Sequence, residues 1–471
     1  MAIPVAAPAP AHVRVLTYAG PALALAAVSV AVAWNGGYSA DAQWAFASLA
    51  LGAALVTPRV LGALRSLPIL ALVLLGLLAV SSAAWTIGEP RDAVRAGLVA
   101  AGYAAVAAVA LVSRVPPRGV AVVLAAAAAL CALDGLVSAA RFSTASAEWL
   151  DGGWRPEGPF GYPPALALLQ VFALPVVLVA MARARAVVAG AAAGVAVLAA
   201  GVLATSGSRL EIALAAAVCG GALIVPVASR LRTSAAIGLL ALAGLVLHAG
   251  LGGWVWRRAT EPGAGRLVLV VAVVVAAGPA WLAVRRLLPD VAERRAVPTR
   301  VWVPAAAALA AVAIGVGLAT ASPLDPRRFD VHHGLTHGRT WIWSAAARTL
   351  ADRPIAGSGA GTFLEATLAR QPGHGRVTRF AHDLPLEEGV ELGAVGLLAA
   401  LLLYVAAGVA LVRRARGLSA WLVAPAAAAF LVSNLFDWTW HLAGIGALWA
   451  LALGSFPGVG SGPLGRRRLD A

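Results

Sequence analysis

Apolar residues in this chain come in runs of roughly twenty, long enough to cross a hydrocarbon core, with short polar stretches between them. About fourteen runs recur from end to end, centred near Leu25, Ser48, Leu75, Gly102, Ala127, Phe172, Val195, Val218, Gly244, Val273, Ala310, Ala400, Pro425 and Ala447. Those around Ser48, Pro425 and Ala447 are the shortest. The runs are continuous and rich in Ala and Leu, without the alternation of a barrel strand. The pattern predicts an all-α fold, a polytopic transmembrane bundle of about 14 helices with one long extracytoplasmic loop. No internal repeat is visible. We divide the chain into N-terminal transmembrane helices (1–140), central transmembrane helices with outer loops (141–321), the long loop (322–388), and C-terminal transmembrane helices with a basic cytoplasmic tail (389–471).

Composition agrees. The chain is 61% hydrophobic and 12% charged, and its mean hydropathy is +0.86. A soluble domain would carry about twice that charged fraction. The formal net charge is +15, all of the basic side chains being arginine. They cluster in short connections between apolar runs, which is a mark of membrane topology and argues against a nucleic-acid partner. Arg14, Arg59/Arg65, Arg114/Arg118, Arg183/Arg185, Arg230/Arg232, Arg285/Arg286, Arg413/Arg414 and Arg466–Arg468 fall in alternate connections. The positive-inside rule makes those connections cytoplasmic, with both termini inside. Cys131 and Cys219 lie within apolar runs and read as small core residues. The first apolar run lacks a cleavable signal pattern and reads as a retained helix.

Charges on the opposite face are then the informative ones. Trp149–Pro164 (WLDGGWRPEGPFGYPP) carries Arg155 and reads as turns at the headgroup level, anchored by Trp149 and Trp154. Thr205–Glu211 (TSGSRLE) reads as a tight hairpin in which Ser208 caps the next helix. Arg209 then sits at a helix N-terminus, where a cation is disfavoured unless an anion is near.

The longest polar stretch runs from Gly338 to Gly396. Gly338–Leu350 places Trp341, Ile342, Ala345 and Thr349 on one side at helical spacing, the pattern of a helix lying in the interface. Pro354 ends it. Gly357, Gly359 and Gly361 form a turn whose amides could face a phosphate, a plain loop being the equal alternative. His382 opens the return to the membrane, and a helix is expected from Leu386 with Glu387, Glu388 and Glu391 in its first turns. A His beside carboxylates can serve as a general base near neutral pH; a solvated loop His is the plainer reading. Arg376 and Arg379, just upstream, are candidates for phosphate or sugar contact. His332, His333 and His337 do not form a convincing metal set, because Gly334 and Thr336 disfavour a helix that would pair them. Asp134 and His248 lie in apolar runs, where ionisable groups are costly. Asp437 and His441, beside Trp438 and Trp440, fall on the outer side and could line the same cavity.

His382 to Gly396 resembles the signature of the bacterial O-antigen ligase and polymerase family. That signature is a His, a neutral polar residue (Asn, Ser or Gln), nine residues, a Gly, two residues and then a small residue or Tyr. His382, Gly393 and Gly396 are in register, and Asp383 stands where the neutral residue is usual. Gly338-Arg339 followed by Trp343 resembles the family's GR-x-x-x-W element, and Pro354–Gly361 its P-x-x-G-x-G-x-G turn. Thr205–Arg209 resembles its T-x-S-R turn, and Arg155–Pro163 a degenerate R-x-x-G-x-F-x-N-P loop, with Tyr162 in place of Asn.

The resemblance implies a C-type glycosyltransferase-like bundle in the bacterial cytoplasmic membrane, with its active site extracytoplasmic. It implies inverting transfer of a glycan from an undecaprenyl-diphosphate carrier to a glycan or glycolipid acceptor hydroxyl, without metal, nucleotide sugar or other cofactor. His382, Arg339 and Arg209 would be catalytic. Arg155, Arg376, Arg379, Gly359 and Glu391 would contact substrate. A transporter or flippase of lipid-linked oligosaccharides is the alternative. It would call for charges at the bilayer midplane and inverted repeats, and neither is apparent.

Overall fold

The computed structural model describes residues 11–150, 153–224, 230–251, 264–288, 339–371, 377–414 and 417–456. Five helices come first: α1 (Ala11–Ala33), α2 (Ala40–Val56), α3 (Leu67–Ser81), α4 (Pro90–Val112) and α5 (Pro117–Ala140). Strands β1 (Ala147–Leu150) and β2 (Gly153–Pro156) lead into α6 (Pro163–Arg183), α7 (Ala186–Thr205), α8 (Arg209–Ile224), α9 (Arg230–Leu251) and α10 (Ala264–Leu287). Helices α11 (Arg339–Asp352) and α12 (Phe363–Thr367) precede α13 (Leu384–Arg414), α14 (Gly417–Trp421), α15 (Ala424–Ser433) and α16 (Ala443–Ser455). All the expected run centres but one fall inside these helices; Ala310 lies outside the described residues.

Among the described residues, eight helices are long and apolar enough to cross a membrane. Four more apolar helical stretches are shorter: Tyr18–Ala33, Ala40–Val56, Gly417–Ser433 and Ala443–Ser455. Helix α6 is the axis of the bundle, with 83% of its apolar window buried, whereas α10, at 17%, lies on the rim. Lipid removes most of the hydrophobic drive for helices to associate, so close packing of small residues has to hold them. Helices α3 and α4 show this: a Cβ on Gly97 would come within 2.5 Å of the Gly76 carbonyl oxygen. Helix α16 seats on α4 in the same way. A Cβ on Gly446 would meet the Tyr103 ring at 2.3 Å, and the Tyr103 hydroxyl donates to the Trp440 carbonyl at 2.9 Å.

Two details add to the expectation of an all-α bundle. One connection carries a short hairpin, in which β1 and β2 pair antiparallel, with Glu148 opposite Arg155 and Trp149 opposite Trp154. Four residues per strand are too few for an alternating pattern to stand out in sequence, and the cross-strand aromatic pair supplies the contact instead. The long loop is also less open than expected. Helix α11 packs on α13, burying Ile342, Ala345, Ala346 and Thr349. Ile342 and Ala346 join Phe363, Ala381 and Val390 in a small core of their own.

Candidate functional site

The site is built around a break in α13. Asp383 starts the helix by capping it: its Oδ1 accepts the Leu386 N–H at 2.9 Å, and its carbonyl accepts the Glu387 N–H at 2.9 Å. The helix therefore begins two residues before Leu386. Gly393 then interrupts it with φ 68° and ψ −161°, a region essentially closed to residues with a side chain. The Pro354–Gly361 turn fills the notch. The Ala394 N–H donates to Pro354 O at 2.7 Å, Gly359 N–H to Glu391 O at 2.7 Å, and Ser358 N–H to Val390 O at 3.1 Å. A Cβ on Gly393 would lie 2.1 Å from Ile355 O, and one on Gly396 2.5 Å from Glu388 O. Both glycines of the His-to-Gly signature are thus required by close backbone approach.

This docking changes the expected role of the glycine turn. Its amides do not face a phosphate. The Gly357 N–H is bonded to Arg353 O and Gly359 N–H to Glu391 O. The Ala360 N–H donates to Ser82 Oγ at 2.9 Å, and Gly361 N–H to Glu391 Oε2 at 2.7 Å. Glu391 Oε1 also accepts from the Phe363 N–H at 2.9 Å. Gly359 and Glu391, expected to contact substrate, both hold the turn, and Glu391 also borders a cavity. A buried carboxylate with two amide donors is well satisfied in that role.

His382 sits just ahead of the helix cap at φ 54°, a left-handed conformation unusual for a residue with a side chain. Its neighbours hold it there. The Ala381 N–H donates to Glu387 Oε2 at 2.7 Å, Trp343 Nε1–H to Ala381 O at 3.2 Å, and Leu384 N–H to Asn434 O at 2.8 Å. The last bond brings in the segment between α15 and α16, and the two segments exchange partners. His382 Nδ1 lies 3.5 Å from Asp437 Oδ1, and His441 Nε2 lies 2.5 Å from Glu387 Oε1. Each segment contributes one histidine and one carboxylate. His382 Nδ1 is buried without a hydrogen-bond partner. A separation of 3.5 Å is long for a bond, and contacts of this kind tighten when substrate binds.

Asp437 is the hub of the first pair. Its Oδ1 accepts from the Tyr162 hydroxyl at 2.7 Å and from the Trp438 N–H at 2.7 Å. Burial works to raise its pKa, but His382, the Arg339 guanidinium and the Tyr162 hydroxyl outweigh burial and hold it below the usual carboxylate range. Burial and the same carboxylate push the Tyr162 hydroxyl well above a normal phenol, so it stays a donor. Arg339 is the first residue of α11 and is close enough to both groups for its charge to act on them. Glu211, in the first turn of α8, acts on Tyr162 from the other side. It accepts from Ser433 Oγ at 3.1 Å and from Ser208 Oγ. Arg209 begins that helix. Arg155 lies over the same turn: a Cβ on Gly207, at φ 70°, would fall 2.9 Å from the Arg155 guanidinium carbon. The chain thus brings Arg155 to the turn that carries Arg209, and Arg339 to Asp437.

A row of rings crosses from this cluster to a cavity. Tyr162 meets Trp438 at 4.4 Å between centroids, Trp438 stacks on Phe380 at 5.0 Å, and Phe380 stacks on His441 at 4.2 Å. Beyond His441 lies a cavity of about 320 Å³ between α2, α3, α4 and the α13 segment. Arg379 and Glu391 line it. Arg376, His332, His333 and His337 lie outside the described residues. His248 is at the end of α9 with Nδ1 2.8 Å from Ala204 O. Sequence reasoning missed Tyr162 as the partner of Asp437, and missed Glu211, Ser433 and Phe380. Nothing local marks them, since the Tyr162–Asp437 contact joins residues 275 positions apart. No protein-family model matches this chain, and no curated protein matches it.

Proposed function

We propose that the chain is a membrane glycosyltransferase of the O-antigen ligase or polymerase kind, acting at the outer face of the bacterial cytoplasmic membrane on an undecaprenyl-diphosphate-linked glycan. The reading rests chiefly on one observation: His382 faces a buried, ionised carboxylate, Asp437, that also feels the Arg339 guanidinium. A His–carboxylate pair orients an imidazole and stabilises its protonated form. A guanidinium alongside suits a leaving group whose negative charge grows during the reaction.

In this reading Nδ1 of His382 carries its proton toward Asp437, leaving Nε2 to take the proton of the acceptor hydroxyl. The hydroxyl oxygen forms a bond to the anomeric carbon as the bond from that carbon to the diphosphate oxygen breaks. Attack opposite the leaving group inverts the anomeric centre. The electron pair departs on undecaprenyl diphosphate, held by Arg339 and Arg209, with Arg155 beside Arg209 at the same turn. A guanidinium stays charged at any working pH and can grip two phosphate oxygens at once. The acid at position 383 fits the signature on physical grounds, since Asp, Asn and Ser are all good helix N-caps and Asp383 is one. In this topology fourteen spans cross the bilayer with both termini inside, the apolar helices forming a groove for the polyprenyl tail.

The test is mass spectrometry of the polyprenyl-linked lipid pool, wild type against His382→Ala. Accumulation of single repeat units on the carrier identifies a polymerase, and accumulation of full-length polymer identifies a ligase. An unchanged pool with the variant inserted at normal level would sink the reading.

A further inference from the structure

The cavity beyond the ring row has a chemistry of its own. We propose that it is a pyranose-binding site, taking a sugar ring of the donor or acceptor glycan; this deepens the glycosyltransferase reading and rests on it. Its floor is apolar, formed by Leu75, Ala79 and Val99 of α3 and α4. Its walls are aromatic where Phe380, Trp440 and His441 face it, and polar where Gln43, Arg95 and Arg379 do. At about 320 Å³ it is at the small end of the ~300–1,000 Å³ typical of ligand sites.

Three ligand classes compete, and the mixed polar lining separates them. A diphosphate would bring its oxygens against three carboxyl groups, those of Asp92, Glu388 and Glu391, which also line the space. One of the two guanidiniums is already paired, Arg95 lying 3.0 Å from Asp92. A polyprenyl tail would strip water from those same polar groups with nothing in return. A hydroxyl-rich ring suits both features. Its C–H face packs on the His441 imidazole, the ring at the cavity end of the row, since Phe380 is already stacked on Trp438 and His441. Its vicinal hydroxyls both donate and accept, so they match carboxylates and guanidiniums together.

The cavity is also wired to the reaction centre. Glu387 accepts from His441, which lines the cavity, and from the N–H of Ala381, which precedes His382. The Gln43 side chain donates to the His441 carbonyl at 3.0 Å, fixing that segment to α2. A sugar seated against His441 and Phe380 would press on the segment that carries His382.

The experiment uses the full chain in lipid nanodiscs. The probes are free glucose, galactose, N-acetylglucosamine and glucuronate, observed by saturation-transfer difference NMR, and inorganic pyrophosphate, observed by phosphorus line broadening. Wild type and His382→Ala should both saturate at least one sugar. Arg379→Ala, which removes an exposed side chain and does not threaten the fold, should weaken that signal by ~10-fold, the worth of one charged hydrogen bond. Pyrophosphate broadening should survive Arg379→Ala and be lost in Arg339→Ala. The proposal is overturned if no sugar is saturated by the wild type, if Arg379→Ala and Gln43→Ala both bind sugar normally, or if Arg379→Ala loses pyrophosphate.

Steady-state kinetics on the lipid-linked glycan extracted from host membranes then identify the source of the ring. A rise in KM for the donor alone assigns it to the donor, and a rise for the acceptor alone assigns it to the acceptor. If neither KM moves while His382→Ala abolishes transfer, the sugar site falls and the glycosyltransferase reading stands. If sugars bind but His382→Ala transfers normally, that reading falls and the sugar site stands.

Discussion

Among the described residues, two histidine–carboxylate pairs are made from the same two segments, in opposite surroundings. His382 faces Asp437 at 3.5 Å, with Arg339 close by and a phenol donating to the carboxylate. His441 meets Glu387 at 2.5 Å, beside a cavity rich in carboxyl groups. The first pair is loose, with a buried nitrogen still lacking a bond. The second is closed, and its carboxylate has a backbone amide on its other oxygen. In our reading the loose pair does chemistry, because a base must be free to gain and lose a proton. The closed pair positions, because its bonds are already made. Surroundings, not residue type, divide the labour between two like pairs.

That division can be broken at either pair, and the largest effect should come from the loose one. His382→Ala should lower turnover of the lipid-linked glycan by ~10²–10⁴-fold, the usual worth of a general base. Asp437→Asn keeps the shape but removes the charge that holds the imidazole, and kcat should fall on the order of 10²-fold. Normal kcat in that variant would leave His382 without a working partner. The same variant carries a pH signature. A carboxyl held below its ordinary pKa stabilises the fold at pH values above that ordinary value, and the stability is lost as pH falls through the lowered one. Thermal melts of Asp437→Asn should therefore show a shallower fall in stability below about pH 4 than those of the wild type.

Arg339→Lys should cost ~10–100-fold in kcat/KM, since a point charge does not replace the fork. Near-normal turnover would refute two-oxygen recognition. Glu387→Gln breaks the closed pair but keeps an acceptor for the Ala381 amide, so the loss should be only ~10-fold, about the worth of one charged hydrogen bond. A loss as deep as that of Asp437→Asn would erase the distinction between the pairs.

The smallest effect lies outside both. Glu157 is pushed up to about 7 by burial and then by Glu148. Folding therefore favours its protonated form, and that stabilisation is fully present below about pH 4.3 and lost as pH rises through 7. Glu157→Gln should melt a few degrees higher than wild type at pH 8 and no higher at pH 4, as followed by a thermal shift assay.

The helices were legible because lipid imposes a length and a polarity on each run, and both can be counted along the chain. Arg339 at a helix start, Pro354 at the end of that helix, and the turn before Arg209 were legible for a similar reason: caps and breakers act within a few residues. Gly393 and Gly396 stood out as a pattern, but their cause did not, because the carbonyls they must clear belong to Ile355 and Glu388. The glycine turn could be read either as facing a phosphate or as a plain loop, because free and satisfied amides look alike in sequence. Whether Gly359 faces a ligand or Glu391 depends on a docking partner more than thirty residues away. Asp437 could be marked as near the site, yet its bond to Tyr162 joins residues 275 positions apart in the chain.

The exchange of partners between the two segments also has a consequence in time. Residues 381–391 leave the ribosome well before residues 434–441, and until the later segment arrives His382 has no carboxylate and Glu387 no imidazole. Neither pair can form alone, because each segment completes both. The centre is therefore armed in a single event, after α15 has turned back toward α13 and synthesis has passed His441. In our reading, a nascent chain that already exposes His382 is still without its histidine–carboxylate pair and so inert.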